Sequence, residues 1–183
     1  MSRLHTPPSV DASPAASQPL LNAVKAQLGV VPNLFRVVGN SPAALEGYVA
    51  LNAALGKGAL DARTRQRIAL AVAEFNGCGY CLSAHTYLGE HVAKLDATEM
   101  EANRAGTSSA PKAAAGVRFA RKVLQQRGHV GDEDVRAVRN AGYDDAQIVE
   151  IIQHVALNVW TNYLNSVAQT AIDFPVVALR KAG

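Results

Sequence analysis

The chain has 183 residues, 49% of them apolar and 18% charged, which is enough to bury one good core and is most simply a single domain. Its 18 Lys and Arg and 15 Asp and Glu leave a net charge of +3 and are interleaved along the chain. No basic stripe or aromatic interleaving marks a nucleic-acid surface, so nucleic acid is not expected as a partner. Nor is a membrane: no apolar run approaches the ~20 residues of a span, and the N-terminal residues carry no apolar secretory core.

Alanine is abundant and β-branched, aromatic-rich runs are few, so the expected class is all-α. Residues 1–17 are rich in Pro, Ser and Ala and are expected to be flexible or draped over a neighbour, with one helical domain over 18–183. A first helix starts at Gln18, shows Leu20, Leu21, Val24 and Leu28 on one face, and stops at Gly29. Val30 to Phe35 reads as an apolar connector, because Pro32 discourages helix. Asn40-Ser41-Pro42 opens a second helix through Leu45, Tyr48, Leu51 and Leu55. Asp61 caps a third, with Ile68, Leu70, Ala71 and Val72 on its apolar face. Asn76-Gly77 ends it, since both residues tolerate the left-handed conformation.

The next helix is expected to run from Cys78 to about Val92. A short helix follows from Asp96 to Arg104, with Asp96 and Glu99 in a capping pattern. Gly106 to Pro111 is expected to be the most mobile interior loop. Further helices span Ala113–Gln126 and Asp132–Asn140. Asp144-Asp145 then caps a long one with Ile148, Ile151, Ile152, Val155, Val159 and Leu164 on one stripe, continuing to about Ile172. Beside that stripe His154, Asn158, Asn162 and Asn165 recur at helical spacing. Their bland reading is a hydrogen-bonded interhelix or subunit contact; the sharper one has His154 bordering a thiol pocket.

Both cysteines of the chain lie in Cys78-Gly79-Tyr80-Cys81, with His85 four residues on. At helical spacing all three share a face. A helix N-terminus offers free N–H donors and partial positive charge, which favour a thiolate. Cys81 lies one turn from His85, which can take its proton, and Cys78 can then attack a sulfenic acid on Cys81 and close a disulfide. Glu74, one turn before Cys78, is a candidate to orient His85 or to relay its proton. Zinc would need a fourth ligand beyond Cys78, Cys81 and His85, with Glu74 and His91 the only neighbours on offer, so neither metal nor cofactor is expected.

Residues 62–86, which contain this motif, together with Val155 to Asn165 and Asp173-Phe174-Pro175, resemble the AhpD-like alkylhydroperoxidases of the carboxymuconolactone decarboxylase superfamily, in particular its peroxidase-related branch. The resemblance covers most of the chain after about Val30. It implies an all-α AhpD-like fold, assembly into homo-oligomers (trimers or hexamers) and thiol-dependent reduction of organic hydroperoxides. A hydroperoxide and a thiol reductant, a small thiol or a dithiol protein, would then be the partners. It also implies that Cys81 is the attacking and Cys78 the resolving cysteine, with His85 the family histidine. One position departs from the family pattern: where a glutamate follows an arginine in AhpD-type enzymes, Gln66 follows Arg65. A glutamine forms hydrogen bonds but does not relay a proton.

The expected activity is therefore a thiol-dependent peroxidase working through a Cys78/Cys81 dithiol-disulfide cycle in the cytoplasm. Alternatives are a protein disulfide oxidoreductase, although the βαβ pattern of thioredoxin-like folds is missing, and a non-enzymatic redox-sensing oligomer.

Overall fold

The computed structural model describes residues 2–180 and, among them, is all-helical. In chain order the helices are α1 (Gln18–Leu28), α2 (Asn33–Val38), α3 (Pro42–Gly56), α4 (Ala62–Phe75), α5 (Gly79–His91), α6 (Ala97–Arg104), α7 (Pro111–Gln125), α8 (Asp132–Asn140) and α9 (Asp145–Ala168). No helix among the described residues is long and apolar enough to cross a membrane.

Acidic and hydroxyl caps set most helix starts. Ser41, Asp61, Asp96 and Asp144 each accept the N–H three residues on, which satisfies one orphan donor of the first turn. At α9 the exchange is reciprocal, because Gln147 Oε1 accepts the Asp144 N–H.

Helix α4 is the centre of the molecule and packs against α5, α6, α7 and α9. Its residues Ile68 to Ala73 are all buried, so it has no solvent stripe along its middle. Leu70 and Ala73 join one apolar cluster with Leu21, Leu45, Leu82 and both cysteines. Ile68 and Val72 join a second with Phe119, Val138 and Ile151. Truncating so enclosed a leucine to alanine typically costs about 2–5 kcal/mol.

Four sequence expectations give way to different arrangements. Pro32 does not interrupt a helix but precedes one: it sits at the N-cap of α2, with extended ψ, where its missing N–H costs nothing. Helix α9 ends at Ala168, not near Ile172, because Gln169 turns left-handed at φ 50°. Ile152 lies on the solvent side of α9, off the buried stripe. The 106–111 loop is pinned by Glu99, whose carboxylate accepts the Ser109 N–H and both serine hydroxyls of Ser108 and Ser109 while pairing with Arg67. Burial pushes the Glu99 carboxyl up, but the hydrogen bonds from Ser108, Asn103 and Ser109 outweigh it and hold the group well below the ordinary carboxylate range.

Residues 2–17, read from sequence as flexible or draped over a neighbour, lie along their own body. The Ser17 hydroxyl donates to Gly39 O at 2.7 Å, and the Arg3 N–H donates to Ala168 O at 2.6 Å. At the other end, residues 170–180 form an extended strap across α5. Asp173 accepts the Tyr80 hydroxyl and the Asn33 N–H, and Phe174 stands edge-on to the Tyr80 ring.

Candidate active site

The corner between α4 and α5 is built by Asn76-Gly77. Gly77 has φ 66°, its N–H donates to Glu74 O, and the Cys78 N–H reaches back to Ala73 O. This paired closure ends α4 and leaves Cys78 as the N-cap of the next helix. Cys78 Sγ accepts the Cys81 N–H at 3.3 Å, so the two cysteines occupy the cap and first turn of α5, at the helix start that the Asn76-Gly77 break predicts. Both are free thiols, 2% and 3% exposed.

The surroundings of the two sulfurs differ. Cys81 Sγ accepts from Asn165 Nδ2 at 3.3 Å and from the Cys78 thiol. The Asn162 amide also acts on Cys81. Asn76 Nδ2 donates to Asn162 Oδ1 at 2.9 Å, which fixes the amide so that its NH2 is free; that nitrogen completes no hydrogen bond of its own but lies near enough to favour negative charge on the sulfur. The Cys78 thiol first, then these amides, lower the Cys81 pKa from its ordinary value despite burial. Cys78 has only backbone N–H groups in its favour, those of Cys81 and Tyr80. Its hydrogen bond to Cys81, then burial, push its thiol up. Of the two, Cys81 is therefore the sulfur that ionises more readily and Cys78 the one that keeps its proton.

His85 lies one turn along α5 and is half-buried. Its Nδ1 is 2.9 Å from Gln66 Oε1. An amide oxygen only accepts, so Nδ1 carries the hydrogen and Nε2 is left as the base. Burial, reinforced by neighbouring His154, lowers the His85 pKa to about 4. His154 is buried on α9 and is likewise lowered to about 4, by burial and then by Arg65. Its Nε2 has no hydrogen-bond partner.

The structure does not bring Glu74 to the cysteines. One carboxylate oxygen accepts from Arg104 Nε at 2.6 Å and the other from the Arg180 N–H at 2.8 Å, so it ties α4 to α6 and to the strap. Gln66 occupies the place beside His85 that Glu74 was expected to fill. Among the described residues no three His, Cys, Asp or Glu side chains form a metal-holding group.

Three functional side chains escape a reading of the motif alone: Asn165, Asn162 and Asn76. The polar stripe of α9 was the available signal, but its link to Cys81 spans 84 residues. Tyr48 is a fourth. It lies between Phe35 and Trp160, with ring centroids 5.4 and 5.3 Å away. Burial, then the charge on Cys81, keep its hydroxyl protonated.

Residues 42–122, which hold α3 to α7 and the cysteine motif, match the carboxymuconolactone decarboxylase family. The fold is similar to a peroxidase-related protein of the alkylhydroperoxidase AhpD core type from Ralstonia eutropha JMP134, with TM-score 0.84 and 24% identity over 94% of this chain and 92% of that one. A second peroxidase-related protein, from Silicibacter sp. TM1040, superposes with TM-score 0.78 and 23% identity over 93% and 94%. The debrominase Bmp8, solved with 2,3,4-tribromopyrrole, superposes with TM-score 0.77 and 19% identity over 94% of both chains. In sequence, 45 residues are 53% identical to an uncharacterised protein of Haemophilus influenzae; they make up 24% of this chain and 40% of that protein's length. The match to the carboxymuconolactone decarboxylase family thus falls on the segment that holds the cysteine motif, and the fold around it is AhpD-like.

Proposed function

We propose that the protein is a thiol-dependent peroxidase that reduces organic hydroperoxides. The observation that carries this reading is the ring of donors around one sulfur: Cys81 Sγ faces the Cys78 thiol and the amides of Asn165 and Asn162, all favouring a thiolate. The Cys81 thiolate attacks the outer oxygen of the hydroperoxide. The O–O bond breaks, the alkoxide takes the proton held by His85 and leaves as the alcohol, and Cys81 becomes a sulfenic acid. Cys78 then attacks that sulfur. The S–S bond forms, and the hydroxyl leaves with the Cys78 proton as water. Gln66 holds the tautomer that leaves His85 Nε2 free to accept the Cys81 proton, directly or through one water.

With the reading come a thiol reductant, a cytoplasmic setting in which such thiols stay reduced, and homo-oligomers. The apolar outer face of α9, with Trp160, Tyr163 and Val167 exposed, supports association.

The test is thiol-dependent consumption of cumene or tert-butyl hydroperoxide. Cys81→Ser should abolish it, and Cys78→Ser should trap a sulfenic acid on Cys81. Wild-type protein that consumes no hydroperoxide with excess dithiol defeats the reading, and rapid reduction of insulin disulfides without peroxide turnover points to disulfide exchange instead. A second reading draws on the aromatic group of Phe35, Tyr48 and Trp160 near Cys81, and on the likeness to a debrominase. It is thiol-dependent removal of halogen from an aromatic ring, and bromide release from a bromopyrrole would distinguish it.

A further inference from the structure

Between the start of α5 and the end of α9 lies a cleft of about 210 Å³, bordered by Cys78, Gly79, Asn165, Ser166, Thr170 and Ile172. It reaches Cys78 and not Cys81. The two neighbours of Cys78 are glycines, so no flanking side chain screens its sulfur from the cleft. Two lining residues, Asn165 and Thr170, are 3% and 6% exposed, and their Oδ1 and Oγ1 atoms have no hydrogen-bond partner. Buried polar atoms without partners are uncommon, and a pair of them beside a reactive sulfur marks a place where something polar docks.

We propose that this cleft receives a small thiol that re-reduces the Cys78–Cys81 disulfide by attack on the Cys78 sulfur. The inference rests on the dithiol cycle above and adds to it the side of approach, the sulfur attacked and the class of reductant. The incoming thiolate forms a bond to Cys78 Sγ, the Cys78–Cys81 bond breaks, and its electron pair leaves on Cys81. A second thiol, on the same molecule or another, attacks the reductant's sulfur in the mixed disulfide. Cys78 is released and protonated, and the reductant departs as its disulfide. Two thiols thus supply two electrons and two protons.

The direction of attack agrees with the chemistry of the leaving group. Thiol–disulfide exchange is faster when the sulfur expelled is the better thiolate, and Cys81 is the sulfur that Asn165 and Asn162 stabilise. The amides that favour Cys81 as attacker therefore also favour it as leaving group. The cleft is smaller than the roughly 300–1,000 Å³ of sites for drug-sized ligands. It admits a sulfur on a short arm, and Asn165 Oδ1 asks that arm for an N–H or O–H.

The test uses full-length protein oxidised with diamide, so that disulfide formation does not depend on peroxide chemistry. N-acetylcysteamine, a thiol two carbons from an amide N–H, is added and the reaction is quenched at early times with acid and N-ethylmaleimide. Peptide mass spectrometry should find the cysteamine adduct on Cys78 and the maleimide on Cys81. The adduct on Cys81 overturns the proposal. Ser166→Trp, which fills the mouth of the cleft, should slow reduction of the disulfide at least ~10-fold, in line with exchange controlled by access to the attacked sulfur. An unchanged rate in folded variant overturns it as well. Hydroperoxide left untouched by the reduced protein, with the adduct still on Cys78, would defeat the peroxidase reading and leave this one standing.

Discussion

Along α9, the side turned to the protein carries His154, Asn158, Thr161, Asn162 and Asn165, all buried, beside the apolar Ile148, Ile151 and Val155, whereas the side turned to solvent carries Val149, Ile152, Trp160, Tyr163 and Val167, all exposed. An ordinary surface helix buries fewer polar side chains and exposes fewer large apolar ones. The inner polar side is explained by what it touches, since Asn165 and Asn162 serve the Cys81 sulfur and His154 lies near His85. The outer apolar side has no such explanation within one chain. Buried polarity is here the mark of a site, and exposed apolarity the mark of a surface awaiting a partner.

The largest expected effect comes from reversing the inner side's charge preference. Asn165→Asp would place a carboxylate about 3 Å from Cys81 Sγ, since the amide now sits at 3.3 Å. Like charges so close should raise the Cys81 pKa and slow peroxide reaction about 100-fold at neutral pH. Thiolate absorbance during a pH titration measures the first and stopped-flow mixing the second. An unmoved titration would show that the amide does not set the thiolate.

The same face predicts acid sensitivity. His154 and His85 are pushed down to about 4 in the folded chain, whereas an unfolded histidine protonates near ~6.5. Between those values the unfolded chain binds the protons and the folded one does not. Stability is thus full above ~6.5 and is lost as pH falls through that window towards 4; at pH 5 the buried His154 alone should cost about 2 kcal/mol. Urea midpoints at pH 7 and pH 5 measure this, and His154→Leu should flatten the difference.

A smaller change should sharpen the site. Gln66→Glu puts a carboxylate on His85 Nδ1, raises the imidazole pKa by ~1–2 units and speeds proton uptake up to about tenfold. The pH profile of peroxide consumption reads both. On the outer side, Tyr163→Glu should change the stability of the single chain by no more than ~0.5 kcal/mol and leave the thiol titration alone. It should nonetheless shift the mass in solution towards monomer; an unchanged mass would free that face of any role in association. Glu74→Gln should do least at the site. It loosens the tie to Arg104 by about 1–3 kcal/mol and leaves the Cys81 titration where it was.

Much of the scaffold was legible because it is locally encoded. Ser41, Asp61, Asp96 and Asp144 are caps whose donors lie three residues on, and Asn76-Gly77 is a stop signal that needs no tertiary partner. The cysteine spacing likewise carries its own geometry. Periodicity misled where packing decides: Ile152 fits the apolar count of α9 but faces solvent, and α2 hides behind a proline that can open a helix as well as break one. The partners of Cys81 and Glu74 lie 84 and 30 residues away, and nothing local announces them. Glu74 and Gln66 show the limit most plainly. Both sit on α4 at plausible distances along the chain, and only the helix's orientation sends one to Arg104 and the other to His85.

The strap across α5 bears on how the chain reaches this state. Tyr80, between the two cysteines, is fastened to Asp173 across 93 residues. Contacts of that span form late, because the intervening chain must first be ordered. The helices α4 and α5 can meet early, through neighbours in sequence, but the cover over the dithiol closes only after α9 has docked and the tail has come back. The finished cover over this end of α5 therefore depends on residues at both ends of a 93-residue separation, and a chain cut before Asp173 lacks the partner of the Tyr80 hydroxyl.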